Sequence, residues 1–202
     1  MTPKAGTLQQ RMKEQARREV ATTAMALFVD NGFDATTVDQ ICAATGMSRR
    51  SFFRYFKGKE ALVVSLLDGL AEAGSKVFIA RPADEDVWTA LRHCMDPFVD
   101  WSEENRARAL EIIRLVEETP GLRAAYLATV DQWRASLAIL ISRRLGLSDE
   151  HRLYASVVSA ASMGAFVAGG REWQSDGGEA ALADVFDRAF AAMSPNSLDI
   201  PG

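Results

Sequence analysis

The chain has 202 residues, of which 48% are hydrophobic and 25% are charged, a composition that excludes a disordered protein. Its two cysteines and two histidines are too few for a disulfide framework or for a zinc site with four protein ligands. Residues 1–60 hold ten Lys and Arg against six Asp and Glu, a net of +4, whereas the remainder holds thirteen against twenty-one, a net of −8. This asymmetry is typical of a protein that meets a polyanion at one end, with chance scatter of solvated charges as the alternative.

Neither the N-terminus nor the longest uncharged stretch predicts membrane insertion or export. Residues 1–10 lack the apolar core of a signal peptide. The stretch from Leu153 to Gly170 approaches the length of a membrane span, but it is rich in Ser, Ala and Gly. Such a composition favours a helix packed closely against other protein. We therefore expect a cytoplasmic protein with no membrane partner.

Three helices are predicted in the first sixty residues, because capping residues and glycines punctuate apolar residues at helical spacing. The expected starts are at Thr7, Thr37 and Ser48, and the first two have Gln three residues later, the spacing of a capping box. The first two helices should end at Gly32 and Gly46, which are C-cap signals. The third should run to Tyr55.

About six longer helices are predicted after this point. The segment Arg81–Asp84 is expected to break the chain, with Asp84 as the N-cap of the next helix, and Pro97 is expected to kink that helix. The fold class is therefore all-α: a three-helix head followed by a larger helical bundle, about nine helices in all. The predicted domains are the three-helix head, residues 8–58, and the helical body, residues 59–194.

Residues 37–56, TVDQICAATGMSRRSFFRYF, meet the requirements of a helix-turn-helix. The first helix has an apolar face, and Gly46 supplies the positive φ that the turn needs. Phe52 and Phe56 can anchor the second helix on the core. The polar and basic residues that can then point outward are Ser48, Arg49, Arg50, Ser51 and Arg54. Such a helix enters the major groove with its N-terminal residues at base edges; the alternative is an ordinary helical hairpin with a basic surface.

The segment 28–60, FVDNGFDATTVDQICAATGMSRRSFFRYFKGKE, resembles the DNA-binding head of the TetR family of transcriptional regulators. The matching elements are Asn31-Gly32-Phe33, Thr36-Thr37, Gly46-Met47-Ser48, Tyr55-Phe56 and Lys59-Glu60-Ala61-Leu62. The resemblance is specific over roughly residues 14–65, and beyond them it is supported by length and helix count. It implies a repressor that binds a palindromic operator in double-stranded DNA as a homodimer and is released by a small-molecule effector.

The resemblance also assigns roles by position. It implies phosphate contacts from Thr37, Tyr55 and Lys59. Arg49 and Arg50 are candidates for guanine recognition, since one guanidinium can bond O6 and N7 together; contact with phosphate alone is the alternative. At Phe53 this chain departs from the family, which most often has Tyr there. A phenyl ring cannot donate a hydrogen bond, so we expect it to pack or to touch a thymine methyl.

Two copies of the chain are expected, because one short recognition helix reads few base pairs and a twofold pair reads a palindrome. The resemblance implies a four-helix interface made by the last two helices of each subunit. The candidates are a stripe of small residues that allows close helix approach and a bulky stripe beside it: Ala160, Gly164 and Ala168, then Phe186 and Phe190. The alternative is that both stripes serve the core of one chain.

The middle helices resemble the effector-binding region of the family. They carry large residues with adaptable or polar edges, as apolar ligand pockets often do: Trp88, Met95, Phe98, Trp101, Tyr126 and Trp133. Plain core packing is the alternative for each. The effector is expected to be an apolar small molecule, and the Phe52–Phe56 segment resembles a subgroup with an acyl-CoA-like ligand-binding region.

Two other functions are consistent with the sequence. One is an all-helical enzyme, against which the absence of G-x-S-x-G, P-loop and H-E-x-x-H motifs argues. The other is a DNA-binding module regulated by a protein partner. No catalytic residue, cofactor or metal site is predicted.

Overall fold

A computed structural model describes residues 8–148 and 151–193, which form ten helices and no strand, so the all-α prediction is confirmed. The helices are α1 (Leu8–Asn31), α2 (Val38–Thr45), α3 (Arg49–Tyr55), α4 (Glu60–Ala80), α5 (Val87–His93), α6 (Asp96–Glu104), α7 (Arg106–Glu118), α8 (Pro120–Arg144), α9 (Arg152–Ser175) and α10 (Leu182–Ala191). The chain divides into two compact units between Gly69 and Leu70, inside α4. The domain limits 8–58 and 59–194 stay a prediction.

The helix predicted after residue 84 is in fact two helices, α5 and α6. Asp86, not Asp84, is the N-cap of α5, and its carboxylate accepts two backbone N–H groups of the first turn at 2.9 and 3.1 Å. The chain turns at Met95, and Pro97 lies in the first turn of α6. A proline fits there because the first N–H groups of a helix have no partner within the helix. The predicted kink is therefore a helix start.

The first unit is built around aromatic rings contributed by α1, α3 and the segments that follow them. Phe28 packs against Phe33 with ring centres 4.8 Å apart, and Phe52 packs against Phe56 at 5.4 Å; all four are buried. The hydroxyl of Thr36 is also buried and donates to the carbonyl four residues earlier at 2.8 Å. This core fixes one side of α3 and leaves the other side to the solvent.

The core of the second unit forms where α8 and α10 pack on α9. Trp173 is fully buried there, and the Phe166 ring lies 4.9 Å from Phe98 and 5.9 Å from Phe186. Gly169 is under the Phe186 ring, which would be 2.7 Å from a Cβ placed on that glycine. The close approach of α9 and α10 therefore depends on a residue without a side chain.

Among the described residues, α9 is also the one helix long and apolar enough to cross a membrane. Of its most apolar window, 44% is buried inside the unit. One side of α9 therefore serves as the core of the second unit, as its content of Ser, Ala and Gly predicts.

Candidate nucleic-acid interface

The turn between α2 and α3 is held by capping contacts on both sides. The Thr37 hydroxyl accepts the Gln40 N–H at 3.2 Å, and the Gln40 side-chain carbonyl accepts the Thr37 N–H at 2.7 Å, which completes a capping box. Gly46 ends α2 in the left-handed region, with φ of 66°. The Ser48 hydroxyl then accepts the Ser51 N–H at 3.1 Å and starts α3. The backbone of the motif is therefore set by contacts within the chain.

Helix α3 buries one side and exposes a basic one. Phe52 is fully buried, whereas the adjacent Phe53 is 50% exposed. Arg50 and Arg54 are exposed as well, and the Arg54 guanidinium lies 4.9 Å from the centre of the Tyr55 ring. The exposed side thus combines long cationic side chains with one exposed aromatic ring, that of Phe53, a surface suited to a polyanion.

The arginines of this surface are held to different degrees. Arg49 Nη1 lies 2.6 Å from Asp39 Oδ1, and its guanidinium carbon lies 5.6 Å from the centre of the Phe53 ring. Arg50 forms no hydrogen bond or ion pair with any residue of the described part of the chain. The two side chains predicted to recognise guanine therefore differ: Arg49 is paired with a residue of α2, and Arg50 has no such partner among the described residues.

Lys59, predicted to bind phosphate, already has two partners in the unit. Its ammonium donates to the carbonyls of Phe33 at 2.6 Å and Asp34 at 3.3 Å, and it lies 4.6 Å from the centre of the Phe33 ring. These contacts tie the start of α4 to the link between α1 and α2. An ammonium has three donors, so one stays available for an external acceptor.

Some hydroxyl groups of the predicted interface already form hydrogen bonds within the helix caps. Thr37 donates its hydroxyl proton to Gln40 Oε1 at 3.0 Å, so the backbone N–H groups of Val38 and Asp39, at the start of α2, are the donors left there. Ser48 donates to the Ser51 hydroxyl oxygen at 3.1 Å. Of the two serines, Ser51 therefore keeps a proton that it can donate outward.

The residues predicted to line an effector pocket lie in α5, α6, α8 and the turn at Met95. Met95 and Phe98 are buried, and the others are half-buried: Trp88, Trp101, Tyr126 and Trp133. Burial raises the pKa of the Tyr126 hydroxyl, as expected for a phenol shielded from water. Phe98 and Trp133 both lie against Phe166, at 4.9 and 6.3 Å between ring centres, so the structure brings these two together.

A cavity of about 550 Å³ lies between α8 and α9, and none of the six predicted pocket residues lines it. Its wall contains three arginines, three serines and four apolar residues. Arg134 is one of the arginines and pairs with Asp131 at 2.8 Å. Among the residues that the structure describes, no cluster of His, Cys, Asp or Glu could hold a metal ion.

The outer side of α9 is a continuous apolar stripe. The predicted small residues are all exposed, and two larger residues at the same helical spacing extend the stripe toward the helix start: Leu153, Val157, Ala160, Gly164 and Ala168. Leu153 is 74% exposed and Val157 is 58% exposed, and a Cβ at Gly164 would meet nothing within 4 Å. A contiguous exposed apolar surface of this kind marks an interaction site more often than a solvated face.

The bulky stripe on α10 lies elsewhere. Phe186 is fully buried and Phe190 is 5% exposed, because their side of α10 packs on α9 within the same chain. We therefore leave Phe186 and Phe190 out of the candidate interface and assign them to the core. Leu153 and Val157, which the prediction left out, belong to the exposed stripe; their spacing from Ala160 was the available signal.

Two family matches cover most of the chain. Residues 21–66 match the bacterial regulatory proteins of the tetR family. Residues 85–197 match the family described as the MftR C-terminal domain. The first match spans the helix-turn-helix, and the second spans the candidate pocket and α9.

The chain is also similar to characterised and solved regulators. It is 32% identical over 204 residues to the HTH-type transcriptional regulator TcmR of Streptomyces glaucescens, covering 96% of this chain and 89% of that protein. The FadR regulator of Bacillus subtilis in complex with stearoyl-CoA superposes with a TM-score of 0.61 at 13% identity, over 86% of this chain and 95% of that one. Thermus thermophilus FadR in complex with lauroyl-CoA gives 0.56 at 22% identity, over 92% and 99%. These two structures share the fold of this chain.

Proposed function

The chain belongs to the tetR family of bacterial transcriptional regulators, and from that premise we propose that it binds a palindromic operator as a homodimer and represses transcription in the cytoplasm until a small molecule releases it. The observation that carries the proposal is the division of α3 into a buried side and an exposed basic side. This helix is anchored by the buried Phe52 and presents Arg49, Arg50 and Arg54 to solvent.

On DNA, α3 lies in the major groove. Arg49 and Arg50 are at the start of the helix and contact guanine edges, while Phe53 contacts a thymine methyl. Phosphate contacts come from Arg54, Tyr55, the remaining donor of Lys59 and the N–H groups at the start of α2. Ser51 supplies a hydroxyl proton to either a base or the backbone.

Dimerisation uses the exposed stripe of α9. Close packing of two helices requires small side chains at the contact, and Ala160, Gly164 and Ala168 provide them. Burying Leu153 and Val157 against a second copy removes two strongly exposed apolar side chains from water. The same patch faces itself across a twofold axis, as an isologous interface requires.

The effector has an apolar part that binds among the large residues of α5, α6 and α8. Acyl-CoA thioesters are the first compounds to test, because two proteins of the same fold were solved with stearoyl-CoA and lauroyl-CoA. An effector of this kind acts by binding more tightly to a conformation that does not fit the operator, which shifts the population away from DNA.

DNA recognition is tested by selecting bound duplexes from a random pool with the intact protein. We expect enrichment of an inverted repeat, and dissociation constants measured by fluorescence anisotropy should rise about tenfold or more for Arg50→Ala. Arg123→Ala, which removes an exposed arginine of the second unit, is the matched control and should bind like the parent. Failure to enrich any sequence would overturn the proposal.

The effector is tested on the selected duplex. Lauroyl-CoA and stearoyl-CoA are titrated into the protein–DNA complex, with coenzyme A and the free fatty acids as controls. We expect release by an acyl-CoA at concentrations that leave the controls without effect. If none of these compounds releases the DNA while DNA binding is intact, the protein remains a DNA-binding regulator, but acyl-CoA thioesters are rejected as its effectors.

A further inference from the structure

One side chain of the candidate interface is fixed from outside α3. Asp39 lies in the first turn of α2, and its carboxylate holds the guanidinium of Arg49, the first residue of α3, at 2.6 Å. The other side of the contact is the Phe53 ring, 5.6 Å from the guanidinium carbon. The carboxylate and the ring together restrict where the end of this long side chain can lie.

The neighbouring arginines lack this restraint. Within the described residues Arg50 has no hydrogen-bond or ion-pair partner, and Arg54 contacts the adjacent Tyr55 of its own helix. Of the three arginines of α3, Arg49 is therefore the one whose position is set by α2. An aspartate on a surface that should attract phosphate also has a cost, because its charge repels the DNA backbone.

From this geometry we propose that Asp39 is a positioning residue for base recognition: it orients Arg49 toward one guanine in each half-site and trades non-specific affinity for specificity. The proposal rests on the function proposed above. A guanidinium has five N–H donors in a rigid plane, so bonding to one carboxylate oxygen still leaves donors for guanine O6 and N7. Fixing the side chain before binding reduces the entropy lost when that pair of bonds forms.

The exposure of the pair makes the proposal testable without unfolding the protein. The Arg49 and Asp39 side chains are 63% and 69% exposed, and ion pairs at such sites contribute little to stability. Replacing either residue should therefore leave the unit folded, which thermal unfolding of each variant verifies. Asp34→Asn is a matched control, since it removes the same charge from an exposed site on the link between α1 and α2.

The experiment measures dissociation constants on the selected duplex and on duplexes with each base pair replaced in turn. Four proteins are compared with the parent: Asp39→Asn, Arg49→Ala, the double variant and Asp34→Asn. We expect Asp39→Asn to lose about two- to fivefold discrimination at one symmetric position per half-site, the range that an exposed ion pair can supply, while binding unrelated DNA as well as the parent or better. Asp34→Asn should keep the discrimination. In the double variant the loss should equal that of Arg49→Ala alone, because Asp39 acts through Arg49.

Three results would overturn the proposal. Full discrimination by Asp39→Asn would show that Arg49 needs no positioning. Additive losses in the double variant would show that Asp39 contacts a base by itself. Equal weakening of Arg49→Ala on all duplexes would reassign Arg49 to phosphate. A parent protein without sequence preference is a different outcome, since it rejects the proposed function and, with it, this inference.

Discussion

The two units present surfaces of opposite chemistry. In the first, the exposed side of α3 is cationic and includes one exposed ring, that of Phe53. In the second, the exposed side of α9 is apolar over five residues at helical spacing, from Leu153 to Ala168. A charged surface is well solvated when it is free, so it suits a ligand that binds and dissociates. An exposed apolar stripe is poorly solvated when it is free, so it favours a long-lived complex. The difference indicates transient binding of DNA by the first unit and lasting association through the second.

In each unit, two positions with the same amino acid in one helix differ in whether they face the core or the surface. Phe52 is buried and Phe53 is half-exposed in α3. In α9, Gly169 lies against the Phe186 ring and Gly164 faces open space. For each pair we expect that substituting the buried residue lowers stability, and that substituting the exposed residue weakens binding to DNA or to a second copy of the chain.

The largest effect is expected in the first unit, at Phe52. Replacing this buried phenylalanine with alanine removes a ring from a small core and should cost about 3–5 kcal/mol of unfolding free energy. Phe53→Ala should change stability by less than about 1 kcal/mol while weakening DNA binding. Chemical denaturation followed by circular dichroism measures the first quantity, and anisotropy on the selected duplex measures the second. Equal destabilisation by both variants would contradict the division of α3 into a buried and an exposed side.

The corresponding comparison in the second unit concerns the two glycines of α9. Gly169→Ala forces a Cβ against the Phe186 ring and should cost about 1–3 kcal/mol, measured by chemical denaturation. Gly164→Leu has room in the single subunit, so the variant should fold normally but sediment as a monomer and bind the operator weakly. Ala107→Leu, which adds a side chain of the same size at an exposed position of α7, should stay dimeric. An unchanged dimer in Gly164→Leu would reject the proposed interface.

The first unit could be predicted closely because its signals are local. Capping residues and a glycine at the turn determine α2 and α3, and each acts within four residues of its own position. The ion pair between Asp39 and Arg49 was not predicted, since it joins two helices through side chains ten positions apart. The occupation of Lys59 by two carbonyls was missed for the same reason: its partners lie on a link distant in sequence.

The second unit was less predictable, because a helical apolar pattern does not reveal which of two apolar sides faces the core. The stripes of α9 and α10 had the same spacing in the sequence. In the structure Phe186 packs inward while Ala160 faces solvent, and only the packing of α10 on α9 distinguishes them. An aromatic ring gains more from burial than the methyl group of an alanine, which is the physical reason why Phe186 rather than Ala160 faces the core.

The smallest expected effect is a difference in reactivity between the two cysteines, of which each unit contains one. Both side chains are half-buried, but burial raises the pKa of the Cys94 thiol to about 12, whereas the pKa of the Cys42 thiol is raised less, by burial and by the nearby Asp39. Because the thiolate is the reactive form, a raised pKa lowers reactivity at a given pH. A thiol reagent at pH 8 should therefore modify Cys42 first, with a rate that rises up to about tenfold per pH unit below its pKa.

Cys94 should stay unmodified under the same conditions until denaturant unfolds the second unit. Cys42→Ser supplies the control, since this variant should show a single thiol that reacts only after unfolding. The modified fraction, followed by mass spectrometry against denaturant concentration, then reports the opening of the second unit alone. Rapid labelling of Cys94 in the native protein would contradict this prediction, and it would mean that the turn between α5 and α6 opens without global unfolding.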